Sequence, residues 1–227
     1  MKKAISLPAA AWAALFALVG ALAPAQAQDV KASLPDGEKK VAMCVGCHGI
    51  PGYQASFPEV HKVPMISGQG GQYITAALNA YKKGERKHPT MRGIAASLTD
   101  QDIADVSAYY AASGKTDAVP PEQPAVQPSP EVAALLTKGA CVSCHGVNYS
   151  KPIDGSYPKL AGQFADYLFV ALKSYKTEGN PHVGRGNAIM GGQVKQFSNA
   201  ELKAMAKYMA TLPGDLKTVK ESPFIAH

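Results

Sequence analysis

One five-residue pattern occurs twice in this chain, as Cys44-Val-Gly-Cys47-His48 and as Cys141-Val-Ser-Cys144-His145, and together the two copies use every cysteine present. C-x-x-C-H is the sequence at which a haem is attached covalently: two thioethers hold the porphyrin, and the adjoining His reaches the iron from one face. Rival readings explain less. Disulfides or thioredoxin-like redox pairs leave the His that follows each second cysteine without a role. A Cys/His zinc site needs more ligands at closer spacing. Two covalent haems are therefore expected, held by Cys44 and Cys47 and by Cys141 and Cys144, with His48 and His145 as iron ligands.

The first residues read as an address. Lys2 and Lys3 precede an apolar run, Ala9–Ala23, and Pro24-Ala25-Gln26-Ala27-Gln28 offers a small-residue cleavage site after Ala27. A membrane span needs about 20 apolar residues, so residues 1–27 are expected to be a secretory signal peptide, with an uncleaved anchor as the alternative. The mature protein is then exported and soluble, in the periplasm. Without the signal peptide 21 basic residues face 17 acidic ones, a net charge of +4 divided evenly between residues 28–115 and 116–227, which argues against nucleic acid as a partner.

The repeat extends well beyond the cysteines. Pro64-Met65-Ile66-Ser67-Gly68-Gln69 matches Pro158-Lys159-Leu160-Ala161-Gly162-Gln163, and Tyr73, Ala77, Leu78 and Tyr81 recur as Tyr167, Ala171, Leu172 and Tyr175, all at an offset of 94. Met91, Leu98, Thr99 and Tyr109 pair with Met190, Phe197, Ser198 and Tyr208 at an offset of 99. Changes of offset put the length differences in loops between the shared blocks. Prolines 120, 121, 124, 128 and 130 mark a stretch that cannot sustain a helix. The expected organisation is a first domain at 28–118, a Pro-rich linker at 119–130 and a second domain at 131–227.

The fold class expected is all-α, with about three main helices around a haem in each domain. Short helices at Pro35–Val45 and Val132–Cys141 lead to the cysteines. Gln72–Lys83 and Asp166–Lys176 place their tyrosines and alanines on one face. Capping boxes at Thr99-Asp100-Gln101-Asp102 and Ser198-Asn199-Ala200-Glu201 open the last helix of each unit. No stretch alternates with a period of two, so no sheet is expected.

A haem held by His on one face has a sixth position to fill, and methionine there suits electron transfer. Met91 and Met190 occupy matched positions in Gly-containing loops, Thr90-Met91-Arg92-Gly93 and Ile189-Met190-Gly191-Gly192, and are the expected second ligands. Met43, Met65, Met205 and Met209 lack that match and are assigned to core filling. His61, His88 and His182 are free but unmatched, and His88 could reach the first iron only if its loop folded differently. Each proximal His needs an acceptor for its other ring nitrogen. The carbonyls of Pro64 and Pro158 are available for it, although both could equally be ordinary turn prolines.

The combination of C-x-x-C-H, P-x-[IL]-x-G-Q before a tyrosine-bearing helix, and Met91-Arg92-Gly93-Ile94-Ala95 with Leu98-Thr99-Asp100 resembles the dihaem cytochromes c4 over nearly all of residues 36–213. The resemblance implies two class I cytochrome c domains about a pseudo-twofold axis and a periplasmic carrier passing electrons from respiratory-chain donors to a terminal oxidase or similar acceptor. It implies redox protein partners and no small-molecule substrate. The alternative is a haem-containing redox enzyme or its electron-transfer subunit, acting in small sulfur compound oxidation or peroxide reduction. Two departures, an inserted Gly52–His61 and a Gly-rich loop at Gly179–Asn187, bear on the partner surface. A basic cluster, Lys82, Lys83, Arg86, Lys87 and Arg92, reads either as a docking rim or as a solvated helix end.

Overall fold

The computed structural model describes residues 30–115 and 121–220. The expected signal peptide, the start of the linker and His227 lie outside the described residues.

The first half opens with α1 (Leu34–Lys40), capped by Ser33, whose hydroxyl accepts from the Asp36 amide and which has Pro35 in its first turn. The chain turns at Val41 and continues as α2 (Ala42–His48), which carries the first C-x-x-C-H. The single helix expected at Pro35–Val45 is thus two, meeting at a residue only 1% exposed. There follow α3 (Gly71–Lys82), α4 (Pro89–Ala96) and α5 (Asp100–Ala112). In the second half α6 (Pro130–Lys138) and α7 (Val142–His145) replace α1 and α2, and α8 (Ala165–Ser174), α9 (Ala188–Lys195) and α10 (Asn199–Thr211) replace α3 to α5. Both capping boxes form: Thr99 exchanges bonds with Asp102, and Ser198 with Glu201.

The last helix of each half is the core. Ile103, Val106 and Tyr110 of α5 are buried with Val41, Val45, Ile74 and Leu78, and α5 packs on α1 and α3. Leu202, Met205, Met209 and Leu212 are buried with Leu136, Tyr149, Leu168 and Phe197, and α10 packs on α6 and α8. Met205 and Met209 fill the core as their helical spacing implies.

Two small sheets correct the expectation of none. β1 (Gln54–Ala55) and β2 (His61–Lys62) form an antiparallel hairpin within the first half. β3 (Arg86–Lys87) pairs antiparallel with β4 (Gly184–Arg185) and so joins the halves, with Gly186 N–H donating to Glu85 C=O at 2.7 Å. Strands of two residues carry no periodicity, which is why alternation could not announce them.

The halves meet through their repeated Gly-Gln pairs. The Gln69 side chain donates to Lys159 C=O (3.0 Å) and accepts from Lys159 N–H (2.9 Å); Gln163 donates to Met65 C=O (2.8 Å) and accepts from Met65 N–H (3.0 Å). Met65 and Lys159 are themselves repeat partners, so the two bridges are related as a twofold axis would relate them. The preceding glycines anchor the turn: Gly68 N–H bonds Tyr110 C=O and Gly162 N–H bonds Met209 C=O. Gly68 has φ +82°, and a Cβ there would lie 2.4 Å from Asp215 C=O, so no other residue fits. Asp215 belongs to a C-terminal tail that crosses back over the first half, where Lys217 N–H bonds Ser67 C=O.

Candidate functional site

One continuous cavity of about 730 Å³ runs through both halves, and its lining includes all four cysteines, His48, His145, Met91 and Met190. The eight residues singled out by the sequence are therefore brought together around one space. Each C-x-x-C-H lies on a short helix, which places both cysteines and the His within two turns. The four cysteines form no disulfide.

Each imidazole is oriented by the proline that the repeat brings beside it. His48 Nδ1 lies 2.9 Å from Pro64 C=O and His145 Nδ1 3.0 Å from Pro158 C=O. A carbonyl can only accept, so Nδ1 carries the proton in both rings and Nε2 keeps its lone pair for a metal. Burial pushes both histidines below their ordinary value, against the opposing effect of the carbonyl bond. Both rings are thus neutral donors at neutral pH.

Met91 and Met190 do not lie in loops, as the nearby glycines suggested, but in the first turns of α4 and α9. Each of these helices is capped onto its methionine. Met91 N–H donates to His88 Nδ1 (3.4 Å), and Met190 N–H donates to Asn187 Oδ1 (2.9 Å). His88 and Asn187 are related by the same offset of 99 as the methionines, so His88 does have a repeat partner, equivalent by hydrogen bonding rather than by name. The remaining ring nitrogen of His88 bonds Phe57 C=O (3.3 Å), which leaves that side chain no free donor for iron. His61 is buried, bonded through Nδ1 to Glu59 C=O and stacked on Tyr167, and His182 is exposed. Met65 acts through its backbone, and Met43 is 49% exposed rather than in the core, at the rim of the cavity.

The donor set fits a c-type haem in each half. Paired thiols, a neutral imidazole nitrogen and a thioether stand among apolar walls, Ile74, Leu78, Leu98 and Val106 on one side and Leu168, Phe197, Leu202 and Met205 on the other. Among the described residues no group of three or more His, Cys, Asp or Glu is placed to hold a metal ion, so the zinc reading finds no ligand cluster.

The sequence matches the family described as Cytochrome c over residues 36–112 and again over 131–213. The chain belongs to the cytochrome c family. It is 31% identical over 190 residues to cytochrome c4 of Stutzerimonas stutzeri, covering 78% of this chain and 87% of that one. It is 30% identical over 226 residues to a protein of Stutzerimonas stutzeri (strain A1501) named thiosulfate dehydrogenase electron acceptor, covering 92% and 96%. The crystal structure of reduced recombinant cytochrome c4 from Pseudomonas stutzeri superposes with a TM-score of 0.57 at 26% identity, over 81% of this chain and all of that one. The protein is thus a cytochrome of two tandem cytochrome c domains, carrying two c-type haems and serving electron transfer rather than catalysis.

Both departures of this cytochrome from the cytochrome c4 pattern lie where the domains meet. The inserted hairpin packs on α8: Glu59 pairs with Lys173 at 2.6 Å, and Lys62 N–H bonds the Asp166 carboxylate at 3.1 Å. The Gly-rich loop supplies β4, and Lys87 reaches it at Asn180 C=O (2.8 Å). The basic cluster is also largely engaged internally. Lys82 caps Leu98 C=O (2.7 Å), Lys87 crosses to the second domain, and Arg86 bonds the Tyr73 hydroxyl (3.1 Å). Only Lys83 and Arg92 of the five have no bond of that kind among those described, which leaves little of a charged docking rim. Residues that sequence reasoning passed over are Asn187, Arg86 as an internal group, and Arg185, which bonds the Tyr167 hydroxyl at 3.1 Å. The offset of 99 that paired the methionines would have found all three.

Proposed function

We propose that this cytochrome is a periplasmic electron carrier with two closed, six-coordinate haems. Cys44 and Cys47 hold one haem and Cys141 and Cys144 the other. His48 with Met91, and His145 with Met190, are the axial ligands. The haem, when bound, supplies a one-electron couple whose potential His–Met ligation raises. The chain's own residues supply rigidity: Pro64 and Pro158 fix the imidazole tautomers, while His88 and Asn187 hold the methionine-bearing turns. The observation that carries this reading is the repetition, in both domains, of a carbonyl-oriented His and a capped Met on one cavity. Export follows from the signal peptide read at 1–27, and the domain limits are taken as 28–118 and 131–227 about a linker at 119–130. The partners are redox proteins, with respiratory-chain donors on one side and a terminal oxidase or similar acceptor on the other.

The test is spectroscopic. The purified protein should carry two haems per chain, both low-spin with methionine ligation in the ferric state. Met91→Ala and Met190→Ala should each convert one haem to a ligand-accessible form of lower potential. If either variant left its haem unchanged, that ligand assignment would be wrong.

A second reading concerns the donor. The match to the thiosulfate dehydrogenase electron acceptor extends over nearly the whole of both chains, further than the match to cytochrome c4. It supports a donor that oxidises a small sulfur compound. Stopped-flow reduction by a thiosulfate dehydrogenase with thiosulfate, compared with reduction by a respiratory donor, distinguishes the two.

A further inference from the structure

The two methionine-bearing turns are capped alike but supported differently. In the first domain His88 Nδ1 accepts the Met91 N–H, so the ring proton sits on Nε2, which donates to Phe57 C=O at 3.3 Å. The Phe57 ring meets the same imidazole edge-on, with centroids 5.8 Å apart. Phe57 lies in the turn between β1 and β2, and that hairpin is itself tied down. Val63 N–H bonds Tyr53 C=O (2.8 Å), and Glu59 pairs with Lys173 of α8 (2.6 Å). Pro64, the residue after Val63, orients His48. A chain of contacts therefore runs from the His48 side of the cavity, through the hairpin, to the Met91 turn.

The second domain has no such chain, and no strand is formed at 146–157. Asn187 Oδ1 accepts the Met190 N–H (2.9 Å), but among the described residues the amide nitrogen of that side chain meets no acceptor. Asn187, Ala188 and Ile189 are exposed, whereas His88 is half-buried. Pro89, whose ring fixes the backbone at the start of α4, is replaced by Ala188 in α9, and Arg92 by Gly191. A glycine within a helix favours the open turn over the helical one. Packing does not demand this one: a Cβ there would meet only Tyr175 C=O, at an ordinary 3.6 Å.

We propose that the two domains hold their methionines with unequal firmness: the hairpin locks Met91 in place through His88, and Met190 is the ligand that an outside donor can displace. The proposal rests on the His–Met ligation proposed above, and both irons are six-coordinate at rest. Phe57 and His88 are positioning residues that act through Met91 alone. Displacement in the second domain involves no redox change: the Met190 thioether gives up its position, and a lone pair of the incoming donor takes it. Small nitrogen bases and thiols have the right chemistry for haem iron. Their entry needs only the exposed first turn of α9 to open, a local event far smaller than unfolding of the domain.

The experiment uses the full-length ferric holoprotein at one pH, with imidazole as the probe. Haem content, from the pyridine haemochrome, and the near-infrared methionine–iron band are read first. Fewer than two covalent haems, or a band that accounts for only one methionine, would overturn the ligation reading itself and the proposal with it. Stopped-flow mixing with saturating imidazole should then give two phases of equal amplitude. Their rates should differ by about tenfold or more, the combined worth of one hydrogen bond and one helix glycine. Met190→Ala should make the fast phase rise in proportion to imidazole concentration and leave the slow phase in place, which assigns the fast phase to the second haem. Gly191→Ala should slow the fast phase alone, by about fivefold. His88→Asn keeps a cap for Met91 but lacks the ring nitrogen that meets Phe57, and should speed the slow phase alone by about fivefold. Two haems that react at one rate, or a slow phase that belongs to Met190, would overturn the proposal. So would a His88→Asn variant that melts at lower temperature with its slow phase unchanged, because the hairpin would then stabilise the fold without holding the ligand.

Discussion

Replacing Gln69 by Met keeps the length and volume of a buried side chain while removing every hydrogen bond it makes. Gln69 is 4% exposed, donates to Lys159 C=O, and accepts from the backbone amides of Lys159 and Gly70. Gln69→Met therefore leaves two N–H groups and one C=O without partners. A hydrogen bond contributes about 1 kcal/mol net, and a buried group left unmade costs about 1–3 kcal/mol. Lys159 is only partly buried, so water can rescue some of the loss, and the expected cost is about 3 kcal/mol. That is a large part of the 5–15 kcal/mol typical of a domain.

Two of those three groups lie in the other domain, so the loss falls on the contact between domains. Wild-type protein should unfold in guanidinium as one transition, read by far-ultraviolet circular dichroism and by the Soret band. Gln69→Met should lower the midpoint and separate the transition into two steps. Gln163→Met should do the same to a similar degree, because Gln163 makes the same three bonds to Met65 N–H, Met65 C=O and Phe164 N–H. A cost below about 0.5 kcal/mol for either variant, the scale of an unremarkable surface substitution, would refute the clamp. A large difference between the two would refute its twofold character.

Asn187→Ala removes the cap that holds the Met190 turn and should cost about 1 kcal/mol; azide should also bind the second haem faster, as stopped-flow absorbance would show. Gly68→Ala forces a Cβ against Asp215 C=O at a positive φ; backbone strain of about 1–3 kcal/mol should lower the melting temperature and expose the tail beyond residue 213 to protease. Asp105 contributes to the acid dependence of the first domain, beside Asp102, which shares Lys40 with it. Burial raises the Asp105 carboxyl, but Lys40 (2.6 Å), the Ser33 amide (2.8 Å) and Gln101 (2.8 Å) outweigh that and hold it below its ordinary value. A depressed carboxyl stabilises the fold above its unfolded pKa, and that stability is lost as pH falls through the folded value. Asp105→Asn should lower the melting temperature at neutral pH and flatten its decline below about pH 4; a variant with the wild-type acid slope would assign that slope elsewhere.

The parts of the site that chemistry restricts to particular side chains were legible before any coordinates. Only Cys and His can build C-x-x-C-H, and matched positions single out Met91 and Met190 among the methionines as candidates, so residue identity carries that part of the reading. The capping boxes at Thr99 and Ser198 were legible for a similar reason, since few residues make that exchange of bonds. His88 was harder because its role is to accept one backbone N–H, a task Asn187 performs equally well. A comparison by residue name separates those two positions, whereas a comparison by hydrogen-bonding capacity pairs them. The loop expected around each methionine was misread from its glycines, because Pro89 and the caps at His88 and Asn187 start helices that Gly93, Gly191 and Gly192 do not interrupt.

The junction between domains was least legible because it is written mostly in backbone atoms. A two-residue strand such as Arg86–Lys87 has no period, and its partner lies about a hundred residues away. Gln69 and Gln163 contact the amide and carbonyl of Lys159 and Met65, atoms every residue but proline possesses, so nothing in the partner's identity announces the bond. The insertions suggest a general way to find such contacts. Duplicated domains can share matched contacts where they meet, as Gln69 and Gln163 do, and still add unmatched parts there. Here the first domain contributes a hairpin and the second a loop, and each packs on the other domain. From the sequence alone, the length differences between the repeats bear on the surface offered to redox partners. The contacts give them a role within the fold: they fasten the two domains together.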